Sequence, residues 1–138
     1  MPYYPDGSPY VYDDLWPELV NIGWLDDSHP YRRGGVPAGL VDALLRPAAD
    51  PVNVTRGVHT CPFCGGFYLT VENPHAASGS TLLGSAEIHV AGAGGGGFAA
   101  PTLVIHYILD HGYAPPPPFQ RAVLRGADRG GGAPPGRR

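Results

Sequence analysis

The sequence has no lysine, only two cysteines and no long hydrophobic run. Its nine basic residues, all arginine, are outnumbered by twelve acidic residues, which gives a net charge of −3. Proteins that bind nucleic acid or anionic membranes usually carry a basic patch, so we expect neither kind of partner. No apolar run approaches the roughly 20 residues of a membrane span. The N-terminus shows no secretory pattern, so the expected location is cytoplasmic.

Length and composition predict one domain with unstructured parts. The 138 residues are 43% hydrophobic, which is enough for a core, but they include 21 glycines and 17 prolines. We expect a single domain over residues 1–125, of which 1–35 form an arm rich in aromatic residues and proline. Residues 126–138 contain mainly glycine, proline and arginine, and this composition predicts a disordered tail.

The apolar pattern predicts an α+β fold. Short helices are expected over 36–46, 102–111 and 119–124. Two runs rich in β-formers, 67–71 and 81–90, predict an antiparallel hairpin. The expected architecture is a small antiparallel sheet that begins next to the two cysteines, Cys61 and Cys64, and is packed by two or three short helices.

The register of this hairpin decides which residues return to the cysteines. If Glu72 lies opposite Ser80, continued antiparallel pairing brings Cys64 close to Ile88. Glu87, the neighbour of Ile88, is then expected to lie beside the cysteine pair.

The two cysteines form a Cys-x-x-Cys pair, Cys61 and Cys64, followed by two glycines. In a cytoplasmic chain such a pair indicates metal binding or redox chemistry rather than a structural disulfide. The run CPFCGG is similar to the knuckles of rubredoxins and zinc ribbons, which also enter a β-hairpin. A zinc ribbon has two knuckles, whereas this chain has one, so the other ligands must be histidine or carboxylate.

Two other interpretations of the pair stay open. Cys-Pro-Phe-Cys resembles the active site of glutaredoxins, in which a helix follows the motif and lowers the pKa of the first thiol. Here two glycines and a β-rich run follow instead. Alternatively, the thiols are small buried side chains without chemistry.

The remaining ligands must come from six histidines. His29 and His75 lie in turn-rich segments and are expected at the surface. His106 and His111 lie on the predicted second helix, about 140° apart at roughly 100° per residue. Asp110 follows His106 by four residues, so its carboxylate could orient that imidazole as a metal ligand.

The sequence contains three blocks that resemble segments of other proteins. They are HTCPFC at 59–64, LGSAEI at 83–88, and HYILDHGY at 106–113, which is followed by prolines. They look like a group of small bacterial proteins for which we know no activity, and the likeness covers about residues 18–125. The resemblance implies no mechanism. It directs attention to four polar residues of these blocks: His59, Glu87, His106 and His111.

The predicted Zn²⁺ ligands are the two cysteines and the two helix histidines: Cys61, Cys64, His106 and His111. If all four bind, they close a tetrahedral site and the metal is structural. If only three bind, water or substrate takes the fourth position, and zinc lowers the pKa of bound water to about 7 or acts as a Lewis acid.

We predict a small metalloenzyme of the hydrolase or lyase type. Glu87 is the only carboxylate in the apolar run 81–90, and as a neighbour of the metal it would act as general acid or base. In this interpretation Cys61, Cys64 and His106 hold the zinc, and His59 or His111 would complete the metal shell or orient a substrate. A zinc-stabilised accessory or protein-interaction module and a Cys-x-x-Cys redox protein are the alternatives. The partner is accordingly a small molecule or another protein.

Overall fold

The computed structural model describes residues 2–11 and 18–128. Its strands and helices follow in the order β1 (Leu19–Asn21), α1 (Leu40–Ala48), β2 (Thr70–Glu72), β3 (Ser80–Leu82), β4 (Glu87–Ala91), β5 (Gly97–Pro101), α2 (Val104–His111) and α3 (Pro117–Asp128). One sheet has the order β1-β5-β4, and β2 pairs with β3 in a second, two-stranded sheet. The predicted α+β class, with small sheets and short helices, is confirmed.

The three-stranded sheet is mixed. Strands β4 and β5 form an antiparallel hairpin, and β1 joins β5 in parallel. The glycine-rich segment 91–97 forms the turn of this hairpin. Gly97 lies opposite Ala91, and a side chain at Gly97 would collide with the carbonyl of Val90. Glycine is therefore required for the close approach of the two strands.

The predicted hairpin is correct in register but much shorter than expected. Glu72 pairs with Ser80 as predicted, but β3 ends at Leu82. Gly84 has a φ of +103°, which side chains rarely adopt, and here the chain leaves the hairpin. Glu87 then pairs with Pro101 of β5. The prediction of one strand over 81–90, which would bring Glu87 back to the cysteines, is therefore wrong.

The helices are close to their predicted positions but differ at their ends. Helix α1 begins after Gly39, whose φ is +87°, and includes Pro47 in its last turn. Helix α2 ends at Gly112, as expected, with a φ of +68°. Helix α3 extends to Asp128 and so includes the first residues of the predicted tail. The tail residues 129–138 lie outside the described part of the chain.

The core lies between the larger sheet and the helices. Its largest fully buried apolar side chains are Ile22, Leu40, Leu44, Ile88, Val90, Leu103, Val104, Ile105, Tyr107, Tyr113 and Phe119. Burial of one such side chain stabilises the fold by about 1.5–3 kcal/mol. Cys61 belongs to the same cluster and is 1% exposed, so the knuckle is anchored in the core.

The described parts of the N-terminal arm cover the core, as expected from the aromatic composition. Tyr10 and Trp24 are buried, and the indole Nε1 of Trp24 donates a hydrogen bond to the carbonyl of Ala99 at 3.0 Å. Residues 12–17 of the predicted arm are not among the described residues. Within the described ranges, no helix has the length and apolar character needed to cross a bilayer.

Candidate metal centre

The knuckle is a tight turn held by its own backbone. The amide of Gly65 donates to the carbonyl of Cys61, and the amide of Cys61 donates to the carbonyl of Gly66, both at 2.9 Å. Gly65 has a φ of +74°, which favours glycine. The amide of Phe63 points at Cys61 Sγ at 3.4 Å. This turn presents the sulfurs of Cys61 and Cys64 together.

Helix α2 brings two histidines to these sulfurs. His111 Nε2 lies 3.5 Å from Cys61 Sγ, and His106 Nε2 lies 3.4 Å from Cys64 Sγ. The two Nε2 atoms are 3.2 Å apart. All four donor atoms lie within 4.8 Å of one another. We call Cys61, Cys64, His106 and His111 the Cys₂His₂ cluster.

The three short separations within the Cys₂His₂ cluster match those of ligands around one tetrahedral ion. With Zn–S of about 2.3 Å and Zn–N of about 2.0 Å, tetrahedral ligands lie roughly 3.5 Å apart for sulfur and nitrogen and roughly 3.3 Å for two nitrogens. Hydrogen bonds alone explain these short contacts less well than a shared metal ion does. Each Nε2 has two short contacts, but an imidazole nitrogen has one proton or one in-plane lone pair to offer. A shared metal ion satisfies both contacts at once.

His106 is oriented by a carboxylate, as its spacing from Asp110 suggested. Its Nδ1 lies 2.8 Å from Asp110 Oδ2, so the ring turns Nε2 toward the sulfurs. Burial lowers the pKa of His106, and Asp110 partly opposes this effect. A lowered pKa favours the neutral imidazole, which is the form that binds metals.

Three aromatic residues that the sequence did not single out surround the cluster. The ring of Phe63 packs on His111 at 5.2 Å, and the hydroxyl of Tyr31 donates to the carbonyl of His111 at 2.8 Å. The hydroxyl of Tyr107 is buried and has no hydrogen-bond partner within the described ranges. Burial raises the pKa of Tyr107, and the two nearby sulfurs raise it further. In the sequence, the one sign that Tyr107 lies close to the cluster is its position next to His106.

Comparison with known proteins assigns the chain to a family. A family model described as a domain of unknown function, DUF7919, matches residues 2–124. The chain belongs to this family. No curated protein and no solved structure matches it. The family match covers the whole Cys₂His₂ cluster of this DUF7919 domain, but its description states no activity.

Glu87 and His59 lie together in another part of the DUF7919 domain. Glu87 Oε1 accepts hydrogen bonds from the hydroxyl of Tyr10 at 2.9 Å and from Asn53 Nδ2 at 3.2 Å, and it lies 2.8 Å from His89 Nε2. Glu87 and His59 line one cavity of about 130 Å³, and no member of the Cys₂His₂ cluster is among the described residues of its lining. Burial lowers the pKa of His59.

The other two histidines are at the surface, as expected. His29 Nδ1 lies 2.7 Å from Asp26 Oδ1, and both side chains are partly exposed. His75 is exposed in the loop between β2 and β3. The structure therefore divides the sequence-predicted site residues into two centres. The Cys₂His₂ cluster could hold a metal ion, and the Glu87 cavity could hold a small ligand.

Proposed function

We propose that this chain is a zinc-binding domain in which one Zn²⁺ is held by all four residues of the Cys₂His₂ cluster and has a structural role. The observation that carries the proposal is the convergence of two sulfurs and two nitrogens within 4.8 Å. Mixed thiolate and imidazole ligands in tetrahedral arrangement are typical of zinc. Four protein ligands close such a site, whereas catalytic zinc sites keep one position for water or substrate.

A zinc ion at this position would link two distant parts of the chain. Cys61 and Cys64 precede the β2–β3 hairpin, and His106 and His111 lie on α2, more than forty residues later. The strands are short, three of them with three residues each among the described elements. Because ligands are brought together only in the folded state, the free energy of metal binding would add to the free energy of folding.

The surroundings of Glu87 favour a structural role over the metalloenzyme predicted from the sequence. A general base acting on zinc-bound water needs to lie about 2.6–3.2 Å from that water. The contacts of Glu87 are instead with Tyr10, Asn53 and His89. No described contact joins Glu87 to the Cys₂His₂ cluster, so zinc hydrolysis or lyase chemistry has no identified base.

The redox alternative is less well supported by the local structure. The segment between Cys64 and β2 is irregular, with Gly65 and Tyr68 at positive φ, and β2 is the next described regular element, so no helix N-terminus in this segment lowers the pKa of the thiols. Burial raises the pKa of Cys61. Both features oppose the reactive thiolate that disulfide exchange needs.

Elemental analysis of the full chain, purified without an affinity tag, tests the proposal. We expect one zinc per chain in the parent, and loss of zinc in Cys61→Ser, Cys64→Ser, His106→Ala and His111→Ala. His59→Ala is the matched control, because His59 is near Cys61 in sequence but outside the cluster, and it should retain zinc. Near-unit zinc in both cysteine variants would overturn the assignment. A metal-free parent that forms a reversible Cys61–Cys64 disulfide would favour the redox alternative.

A further inference from the structure

The cavity beside Glu87 is large enough for a small molecule. It has a volume of about 130 Å³ and lies between the N-terminal arm, the segment 53–59 and the start of β4. Its lining combines aromatic and polar side chains, among them Tyr4, Tyr10, Trp24, Asn53, His59 and Glu87. An engineered cavity of about 150 Å³ binds benzene, so this one admits on the order of five or six non-hydrogen atoms.

The aromatic wall of the cavity is preformed. The rings of Tyr4 and Trp24 meet edge to face, with centroids 5.6 Å apart and planes at 78°. The backbone amide of Tyr4 also donates to the carbonyl of Trp24 at 3.1 Å. Since the indole nitrogen is bound to Ala99, the wall needs little rearrangement when a ligand enters.

The polar end of the cavity is a fixed carboxylate with one oxygen to spare. The side chain of Glu87 is 9% exposed, and its contacts with Tyr10, Asn53 and His89 all end on Oε1. None of the described residues donates a hydrogen bond to Oε2. The backbone of Glu87 is held as well, by two hydrogen bonds with Val52 of 2.8 and 2.9 Å.

Among the described residues of the cavity lining, no lysine or arginine side chain offsets the charge of this carboxylate. The described lining contains no arginine, and the chain has no lysine. The basic side chains near the carboxylate among the described residues are imidazoles, His89 in direct contact and His59 elsewhere in the lining, and the positive charge of the N-terminus acts on His59. A buried carboxylate is stabilised most by a charged hydrogen-bond donor, and aromatic faces attract cations.

We propose that this cavity binds a small organic cation, an alkylammonium or alkylguanidinium, with its charged group on Glu87 Oε2 and its carbon chain against Tyr4 and Trp24. An anion would be repelled by Glu87. A neutral alkyl group would leave the Oε2 lone pairs desolvated and without a donor, which is unfavourable. This inference is independent of the zinc proposal, since the two sites share no described residue.

The test compares three probes of equal chain length on the full chain as purified: n-butylammonium, 1-butanol and butyrate. The readout is the NMR signal of the Trp24 indole N–H, which reports on the cavity wall. We expect saturable shifts with butylammonium and at least about tenfold weaker binding of butanol and butyrate. Equal binding of butylammonium and butanol, or no saturable shift with any probe, would overturn the proposal.

Variants then separate the charge from the aromatic wall. Glu87→Gln keeps the shape and an acceptor oxygen but removes the charge, so butylammonium should bind at least about tenfold more weakly. Tyr4→Leu should weaken it about three- to tenfold through loss of the aromatic surface that packs on the carbon chain, and it leaves the Glu87 network intact in case Glu87→Gln fails to fold. Tyr3→Leu is the matched control, because Tyr3 stacks on His29 with centroids 3.8 Å apart.

Unchanged affinity for butylammonium in both Glu87→Gln and Tyr4→Leu would contradict the proposal. Zinc content, measured on the same samples, distinguishes this outcome from failure of the metal assignment. A chain that binds butylammonium but holds no zinc would keep the cavity proposal and overturn only the metal proposal.

Discussion

The two polar centres of this domain arrange their polar atoms in opposite ways. In the Cys₂His₂ cluster, four donor atoms converge on one point, and the short contacts lie among the donors themselves. In the Glu87 cavity, three side chains instead surround one carboxylate oxygen, and the other oxygen has no described donor. The first arrangement is closed and suits a structural ion, whereas the second leaves an atom available to a ligand.

His59 and Cys61 show how close in sequence the two centres are. These residues are two positions apart, but one lines the cavity and the other belongs to the cluster. The hydrogen bond from the amide of His59 to the carbonyl of Gly84 holds the segment beside the start of β4. A change that affects one centre through chemistry, rather than through folding, should therefore leave the other intact.

Removal of the metal ligands should have the largest effect on stability. Structural zinc gives about 10–16 kcal/mol of apparent binding free energy in zinc-finger peptides, comparable with the roughly 5–15 kcal/mol that stabilises a whole domain. We expect Cys61→Ser, or the parent treated with a strong chelator, to lose its cooperative thermal transition in near-UV circular dichroism. Added zinc should restore the transition in the chelated parent only. A Tm that moves by less than about 2 °C on complete zinc removal would contradict a structural role.

Truncation of Glu87 should destabilise the fold without releasing zinc. Glu87→Ala removes the carboxylate that accepts from Tyr10 and Asn53, although Asn53 keeps its hydrogen bond to the Tyr10 hydroxyl, and we expect the free energy of unfolding to fall by about 1–3 kcal/mol. Glu87→Gln keeps an acceptor oxygen, so its free energy of unfolding should fall by less. Urea unfolding of both variants measures the difference. Loss of zinc from folded Glu87→Gln would show that the two centres are not separate.

Asp110 should affect the affinity for zinc more than the stability of the zinc-loaded fold. Its carboxylate holds Nδ1 of His106, and loss of such a partner weakens metal binding about 10- to 100-fold. Competition with a fluorescent chelator measures the zinc affinity of Asp110→Ala relative to the parent. Asp42, an exposed acidic residue on α1, provides the control Asp42→Ala. Equal affinities of the two variants would mean that Asp110 has no part in orienting the ligand.

The surface pair of Asp26 and His29 should give the smallest effect. The hydrogen bond with His29 lowers the pKa of Asp26 below its ordinary value of 3.8. Because the folded-state pKa is the lower one, the stabilisation is present above the unfolded-state pKa and is lost as pH falls through the folded-state value. NMR titration of the Asp26 carboxyl in the parent and in His29→Ala measures the pKa of Asp26. A parent pKa at or above that of His29→Ala would contradict the pairing.

Local patterns were sufficient for the knuckle, for α2 and for the β2–β3 register. Each depends on residues close in sequence, such as the tight turn that Gly65 permits and the pairing of Glu72 with Ser80. The choice of His106 and His111 among six histidines needed more than spacing. Their Nε2 atoms approach to 3.2 Å even though the residues are five apart, because Asp110 and Phe63 orient the rings.

The position of Glu87 could not be predicted because it depends on contacts distant in sequence. The apolar run 81–90 has the composition of one strand, but the amide of Gly84 donates to Thr102 Oγ1 instead of continuing the hairpin. A side chain at Gly84 would come within 2.8 Å of the carbonyl of His59. Neither contact can be inferred from the run itself, so the break and the cavity it creates appear only in the structure.

A crystal structure of the full chain, with anomalous data collected at the zinc edge, tests the central claim most directly. The account predicts one zinc with two sulfur ligands at about 2.3 Å, from Cys61 and Cys64, and two Nε2 ligands at about 2.0 Å, from His106 and His111, with no water bound. A zinc held by three of these side chains and a water, with Glu87 at hydrogen-bond distance from that water, would contradict it.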